Sequence, residues 1–125
     1  MAFVKRQKYR NKRVEYDGIV FDSLKEKRRY CELQLLQRQG IISDLRLQVP
    51  FELLPPIYEE VTIKLKTKTK TKMKLVQRAT TYVADFVYVM DGKEVVEDTK
   101  GFRTKEYELK KKMMRALLGI DIHEL

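Results

Sequence analysis

The stretch Thr81-Tyr82-Val83-Ala84-Asp85-Phe86-Val87-Tyr88-Val89-Met90-Asp91-Gly92-Lys93-Glu94-Val95-Val96-Glu97-Asp98-Thr99-Lys100-Gly101 reads as two strands around a tight turn. Asp-Gly favours the left-handed dihedrals that a two-residue hairpin turn needs at both central positions. The spacing predicts strands over residues 80–90 and 93–100, with Met90 paired to Lys93. That register sets Asp85 directly opposite Asp98, on one face with Cβ atoms about 4.5–5.5 Å apart. Lys100 lies two residues beyond Asp98 and projects from the same face. Val83, Val87 and Val96 are expected there too, which sets the acids in an apolar patch. Opposed carboxylates repel unless cationic charge sits between them. Lys100 supplies part of that charge. A divalent cation supplies more, since Mg²⁺ is typically held by one or two carboxylates plus waters and phosphate oxygens.

Upstream, Val14-Glu15-Tyr16 and Ile19-Val20-Phe21 flank Asp17-Gly18, a second short hairpin. Ser23 opens a helix to about residue 39, with Gly40 just past its end. Residues 41–54 contain a strand stopped by Pro55-Pro56, and residues 57–77 look extended throughout. Thr104 caps a last helix that ends before Gly119, and residues 119–125 form a short tail or edge strand. On the first helix Glu26, Tyr30, Leu33 and Gln37 make one stripe, expected to face the sheet. Glu26 has two readings. Ser23-Leu24-Lys25-Glu26 is a capping box, with Glu26 reaching back to the Ser23 amide. The same residue points inward as a third carboxylate, and the acid pair on the hairpin favours that role.

The 125 residues carry 27 Lys and Arg against 18 Asp and Glu, a net charge of +9, and are 43% hydrophobic, enough for one core. The excess is uneven. Residues 1–13 hold Lys5, Arg6, Lys8, Arg10, Lys12 and Arg13 with no acid, and are expected to be a flexible basic arm on a single domain spanning residues 14–125. Residues 64–74 hold Lys64, Lys66, Lys68, Lys70, Lys72 and Lys74, again with no acid. The other 101 residues have 15 basic and 18 acidic side chains, so two cationic segments ride on a slightly acidic body. Chains that grip polyanions look like this. No apolar run approaches the ~20 residues of a bilayer span, and the N-terminus has no apolar signal core, so a cytoplasmic protein is expected. One cysteine, Cys31, excludes a disulfide framework and a Cys-based zinc site, and it is expected to be a buried small hydrophobe. The one histidine, His123, excludes a His-rich metal site and is given no role.

The six alternating lysines would share one face of an extended strand, about 6.6 Å apart. The segment around 61–76 either doubles back as a ribbon or stands as an arm. It serves as a phosphate-tracking surface, or as a Lys-blunted edge that resists aggregation. The charge split favours DNA contact, which sets affinity and salt sensitivity without reading sequence.

An acid on one strand, a hairpin, then acid-x-Lys on the next, all preceded by a helical Glu, resembles the PD-(D/E)xK nuclease superfamily. The pattern is similar to a group of small phage-encoded proteins that resemble Holliday-junction resolvases. Tyr82, Ala84, Asp85, Phe86, Glu97, Asp98, Lys100 and Gly101 carry the likeness. Phe21-Asp22-Ser23, Glu26, Tyr30, Leu33, Gly40-Ile41, Leu45 and Gln48 also fit, as do Thr104, Tyr107 and Lys110. The likeness covers about residues 16–125, with the lysine run as an insertion. Ala84 stands where the superfamily usually has Pro.

The resemblance implies an α/β (α+β) fold, a restriction-endonuclease-like mixed central sheet flanked by helices, here with a Lys-rich extended arm. It implies Mg²⁺ or Mn²⁺ held by Asp85, Asp98, Glu26 and the Thr99 backbone carbonyl. Glu26, Asp85, Asp98 and Lys100 are then the catalytic set, with Lys100 orienting or helping to deprotonate the attacking water. Gln48 is either a support approaching from the neighbouring strand or an ordinary strand glutamine. Tyr107 and Lys110 either touch a phosphate or, for Lys110, sit solvated. Glu97 should point to the opposite face, solvated or ion-paired.

The expected function is metal-dependent endonuclease action on branched or structured DNA in phage recombination or replication, by a homodimer suited to symmetric cuts. The alternative is a non-catalytic DNA-binding accessory protein that keeps the nuclease fold. RNA as a substrate stays open, although the aromatic stacking signature of RNA modules is missing.

Overall fold

The computed structural model describes residues 13–99 and 103–125. Two faces of one sheet organise it. A four-stranded mixed sheet runs in the order β3 (Ser43–Leu54), β6 (Thr80–Met90), β7 (Lys93–Asp98), β8 (Ile122–Glu124). Its pairs are antiparallel except β7–β8, which is parallel and joined through helix α2 (Lys105–Leu118). Helix α1 (Leu24–Arg38) packs on one face beside a small hairpin, β1 (Val14–Tyr16) and β2 (Ile19–Phe21). There Phe21, Tyr30, Leu33, Ile42, Phe86 and Tyr88 form one core. On the other face Tyr107 and Met114 of α2 meet Leu53, Tyr82, Ala84, Val87, Val96 and Ile122. The chain is thus a mixed α+β structure with a central mixed sheet flanked by two helices.

Local chemistry explains the boundaries. The Ser23 hydroxyl accepts from the Glu26 N–H at 3.1 Å and caps α1. The Thr104 hydroxyl does the same for α2 by accepting from the Tyr107 N–H at 3.0 Å. Gly119 closes α2 in the left-handed region at φ 67°. Asp91 and Gly92, at φ 52° and 73°, make the turn that fixes Met90 opposite Lys93 and Phe86 opposite Glu97. Pro50 is tolerated because β3 is an edge strand. Cys31 is free and half-buried rather than buried, since α1 turns it beside the core. Among the described residues no helix is long and apolar enough to cross a membrane.

The segment after Pro55-Pro56 doubles back as a ribbon, β4 (Ile57–Lys64) and β5 (Thr69–Gln77), a two-stranded sheet of its own. The expectation of six lysines on one face fails here, because it needs one uninterrupted strand. The Leu65 N–H donates to the Lys68 carbonyl at 2.8 Å and reverses the chain, so Lys66 and Lys68 sit in the turn. Lys64 pairs with Thr69, whereas Lys70, Lys72 and Lys74 pair with Ile63, Val61 and Glu59. Directly paired residues share a face. Lys70, Lys72 and Lys74 therefore lie on one face and Lys64 on the other.

Candidate functional site

Two neighbouring strands rotate at one level of the sheet. Leu45 and Leu47 pack against the α1-side core, whereas Val49, Phe51 and Leu53 belong to the α2 side. On β6, Tyr82 and Ala84 face α2, whereas Phe86 and Tyr88 face α1. Residues two apart on a regular strand keep the same face. Between Leu47 and Val49 stands Gln48, with φ at 50°, the left-handed region that a glutamine rarely enters. Leu47 pairs with Phe86 and Val49 with Ala84, so Gln48 and Asp85 face each other where the ladder is interrupted. The rotation also corrects the expected apolar patch. Val87 and Val96 lie in the α2-side core, but Val83, beyond the rotation, is 43% exposed.

The interruption is where polar side chains converge. Gln48 Nε2 donates to Asp85 Oδ1 at 3.2 Å and to Glu26 Oε1 at 3.3 Å. Asp85 Oδ2 accepts from the Thr99 N–H and from the Thr99 hydroxyl, each at 2.9 Å. Asp98, next to Thr99, is 1% exposed, and its Oδ2 accepts from the Tyr82 hydroxyl at 2.5 Å. Elements α1, β3, β6 and β7 thus deliver Glu26, Gln48, Asp85 and Asp98 to one region. Burial, then the charge of Asp85, pushes the Glu26 carboxyl up to about 7, with Asp22 and Asp98 adding in the same direction. Burial and the Asp98 hydrogen bond push the Tyr82 hydroxyl up.

Of the expected capping box the structure shows one half, the Ser23 hydroxyl cap on the Glu26 N–H. The Glu26 carboxyl takes Gln48. Among the described residues, no three His, Cys, Asp or Glu side chains are gathered closely enough to hold one ion together. The donors that could serve a metal are the hard oxygens of Asp85, Asp98 and the Thr99 carbonyl. This is chemistry suited to Mg²⁺ or Mn²⁺ rather than to a thiolate- or imidazole-seeking metal.

Tyr107 is 4% exposed, and burial followed by the charge of Asp98 pushes its hydroxyl up. A cavity of about 260 Å³ opens beside Tyr82 and Tyr107, bordered by Thr81, Thr104 and Lys110. Lys110 Nζ reaches that border but is paired with Glu106 at 3.0 Å, one helical turn away. Lys100 lies outside the described residues, as do Lys5, Arg6, Lys8, Arg10 and Lys12; Arg13 is exposed just before β1.

A buried ion pair went unforeseen. Glu97 does point away from Asp98, but to full burial. Arg29 Nε and Nη2 donate to its two oxygens at 2.8 and 2.6 Å, and the Tyr88 hydroxyl donates to Oε2. The Glu97 bond raises the Arg29 guanidinium further above its usual range. Arg29 is three residues past Glu26, so this fork ties the helix carrying Glu26 to the strand carrying Asp98. The sequence signal was an arginine one turn along the inward stripe, opposite an acid flanked by valine and aspartate.

A family model described as protein of unknown function (DUF1064) matches residues 6–119. The chain belongs to the DUF1064 family. In this DUF1064 chain every candidate residue from Arg6 to Lys110 lies within the match, and β8 lies past it. No curated protein and no solved structure matches the chain.

Proposed function

We propose that this DUF1064 chain is a Mg²⁺- or Mn²⁺-dependent endodeoxyribonuclease acting on branched or structured DNA, as its likeness to PD-(D/E)xK nucleases implies. The observation that carries the reading is the convergence of Glu26, Gln48, Asp85 and Asp98 at the interrupted ladder. Phosphodiester hydrolysis needs an activated water and relief of charge on the phosphoryl oxygens, and a carboxylate-bound divalent ion supplies both. Asp85, Asp98 and the Thr99 carbonyl would hold the ion. Glu26 would complete the acidic surround. Gln48 orients Glu26 and Asp85 together, and Tyr82 fixes the rotamer of Asp98. Lys100, outside the described residues, takes the water-orienting role that the resemblance gives it. The setting that follows is phage recombination or replication, with a homodimer for paired cuts.

One observation favours the second reading, a DNA-binding accessory protein with a retired site. Both Asp85 oxygens already accept hydrogen bonds from protein donors.

Labelled four-way junction, flap, linear duplex and single-stranded DNA, incubated with Mg²⁺, Mn²⁺ or EDTA, separate the two. The nuclease reading expects metal-dependent cutting that Asp98→Ala abolishes, with the junction preferred. Cutting of every DNA substrate alike would remove the structure preference, and cutting of RNA alone would change the substrate. Salt-sensitive binding without cutting in either metal would overturn the nuclease reading in favour of the accessory protein.

A further inference from the structure

We infer that the β4–β5 ribbon docks in the major groove of B-form DNA with the face bearing Lys70, Lys72 and Lys74 turned to the duplex. This deepens the DNA-binding half of the proposed function and requires no cleavage. A two-stranded hairpin is marginal by itself. This one is exposed on both faces of β5, and β4 is exposed except at Val61. Its order is completed by what it meets.

Charge names the partner. No acid occurs from residue 61 to residue 84, and the ribbon's two acids, Glu59 and Glu60, lie near the base of β4 with Glu59 across from Lys74. None of the six lysines is ion-paired with another described residue. The Lys70–Lys72–Lys74 face runs on to Lys66 and Lys68 at the tip, so five of the six charges lie along one side or the end.

Shape selects the groove. Eight paired residues span about 26 Å. The B-form major groove, about 12 Å wide, admits a two-stranded ribbon, whereas the minor groove is about half as wide. The major groove of an A-form RNA duplex is deep and narrow and keeps side chains out. Between the lysines, Val61 and Ile63 present apolar surface of the kind that meets thymine methyl groups. The opposite face carries Lys64 among Thr62, Thr69 and Thr71, an equal charge pointing away from the DNA.

That asymmetry provides the test. Binding of the full chain to a labelled duplex is followed by fluorescence anisotropy in EDTA, across about 50–200 mM salt, for wild type, Lys72→Ala and Lys64→Ala. Lys72→Ala is expected to weaken binding and to flatten the slope of log K against log salt by about 0.9, one phosphate contact. Lys64→Ala should leave the slope unchanged, and the basic residues among 1–13 are the same in all three proteins. A duplex with glucosylated cytosines, which fill the major groove, and an A-form RNA duplex of the same sequence should each bind about tenfold or more weakly. Equal effects of Lys64→Ala and Lys72→Ala, unchanged binding to the glucosylated duplex, or equal affinity for the RNA duplex would each overturn the inference. Absence of cutting in Mg²⁺ would count against the nuclease alone and leave these results standing.

Discussion

The body built on the four-stranded sheet and the β4–β5 ribbon place charge in opposite ways. In the body, Glu97 and Asp98 of β7 and Glu26 of α1 are 0%, 1% and 6% exposed, and each is held by protein donors. In the ribbon, six lysines stand in water. A buried charge is tolerated only when paired or hydrogen-bonded, so each buried acid is bound up with the stability of the body. An exposed lysine contributes little to folding, and its charge remains available to a polyanion. The comparison therefore separates residues whose replacement changes folding and chemistry from residues whose replacement changes only affinity.

The sharpest way to break that division is through the acids at the interrupted ladder. Asp85→Asn and Asp98→Asn are expected to lower metal-dependent cleavage by roughly 10²-fold or more, because a metal contributes several kcal/mol to charge stabilisation. DNA affinity in EDTA should stay near that of wild type. Single-turnover rates and anisotropy on the same preparations check this. Comparable loss of binding in EDTA would show that the body, not the ribbon, grips the DNA.

Next in size is the Arg29–Glu97 fork. Arg29→Met leaves a fully buried carboxylate without its cation, and truncating one partner of such a pair costs about 3–5 kcal/mol. Urea denaturation should show that loss, with a smaller loss for the double variant Arg29→Met/Glu97→Gln. A double variant as unstable as the single one would mean that Glu97 is not strained by losing its partner.

Glu26 gives a pH signature of intermediate size. Its folded pKa of about 7 lies above the ordinary 4.5. Between those values the folded chain holds a proton that the unfolded chain has released, so metal-free stability falls as pH rises through this window. Above pH 7 the full penalty applies. Glu26→Gln should flatten the profile and raise metal-free stability at pH 8 by on the order of 2 kcal/mol, read from melting curves at pH 5 and pH 8. An unchanged slope would remove Glu26 from the acidic cluster. Lys72→Ala and Lys74→Ala form the small end of the comparison, with expected stability changes within about 0.5 kcal/mol.

Much of the scaffold was legible because local rules determine it. Asp91-Gly92 set the β6–β7 register, Ser23 and Thr104 marked both helix starts, and Gly119 marked the end of α2. The site was half legible. The turn alone implies Asp85 across from Asp98, and the helical stripe implies that Glu26 points inward. The rotation at Gln48 was not legible, because a glutamine in the left-handed region is imposed by tertiary packing on both faces and leaves no propensity signal. The error about Val83 followed from it. The lysine face was misread for a related reason. Perfect alternation looks like one strand, and a turn inside it flips the face of whatever follows. The Arg29–Glu97 pair is 68 residues apart in sequence, beyond the reach of any periodicity.

The central claim is that Asp85 and Asp98 hold a divalent ion, and calorimetric titration of Mn²⁺ into the metal-free chain at pH 8 tests it most directly. Wild type is expected to give a saturable heat that Asp98→Asn removes and Lys72→Ala leaves unchanged. A titration with no saturable heat, or one that Asp98→Asn leaves intact, would contradict the account.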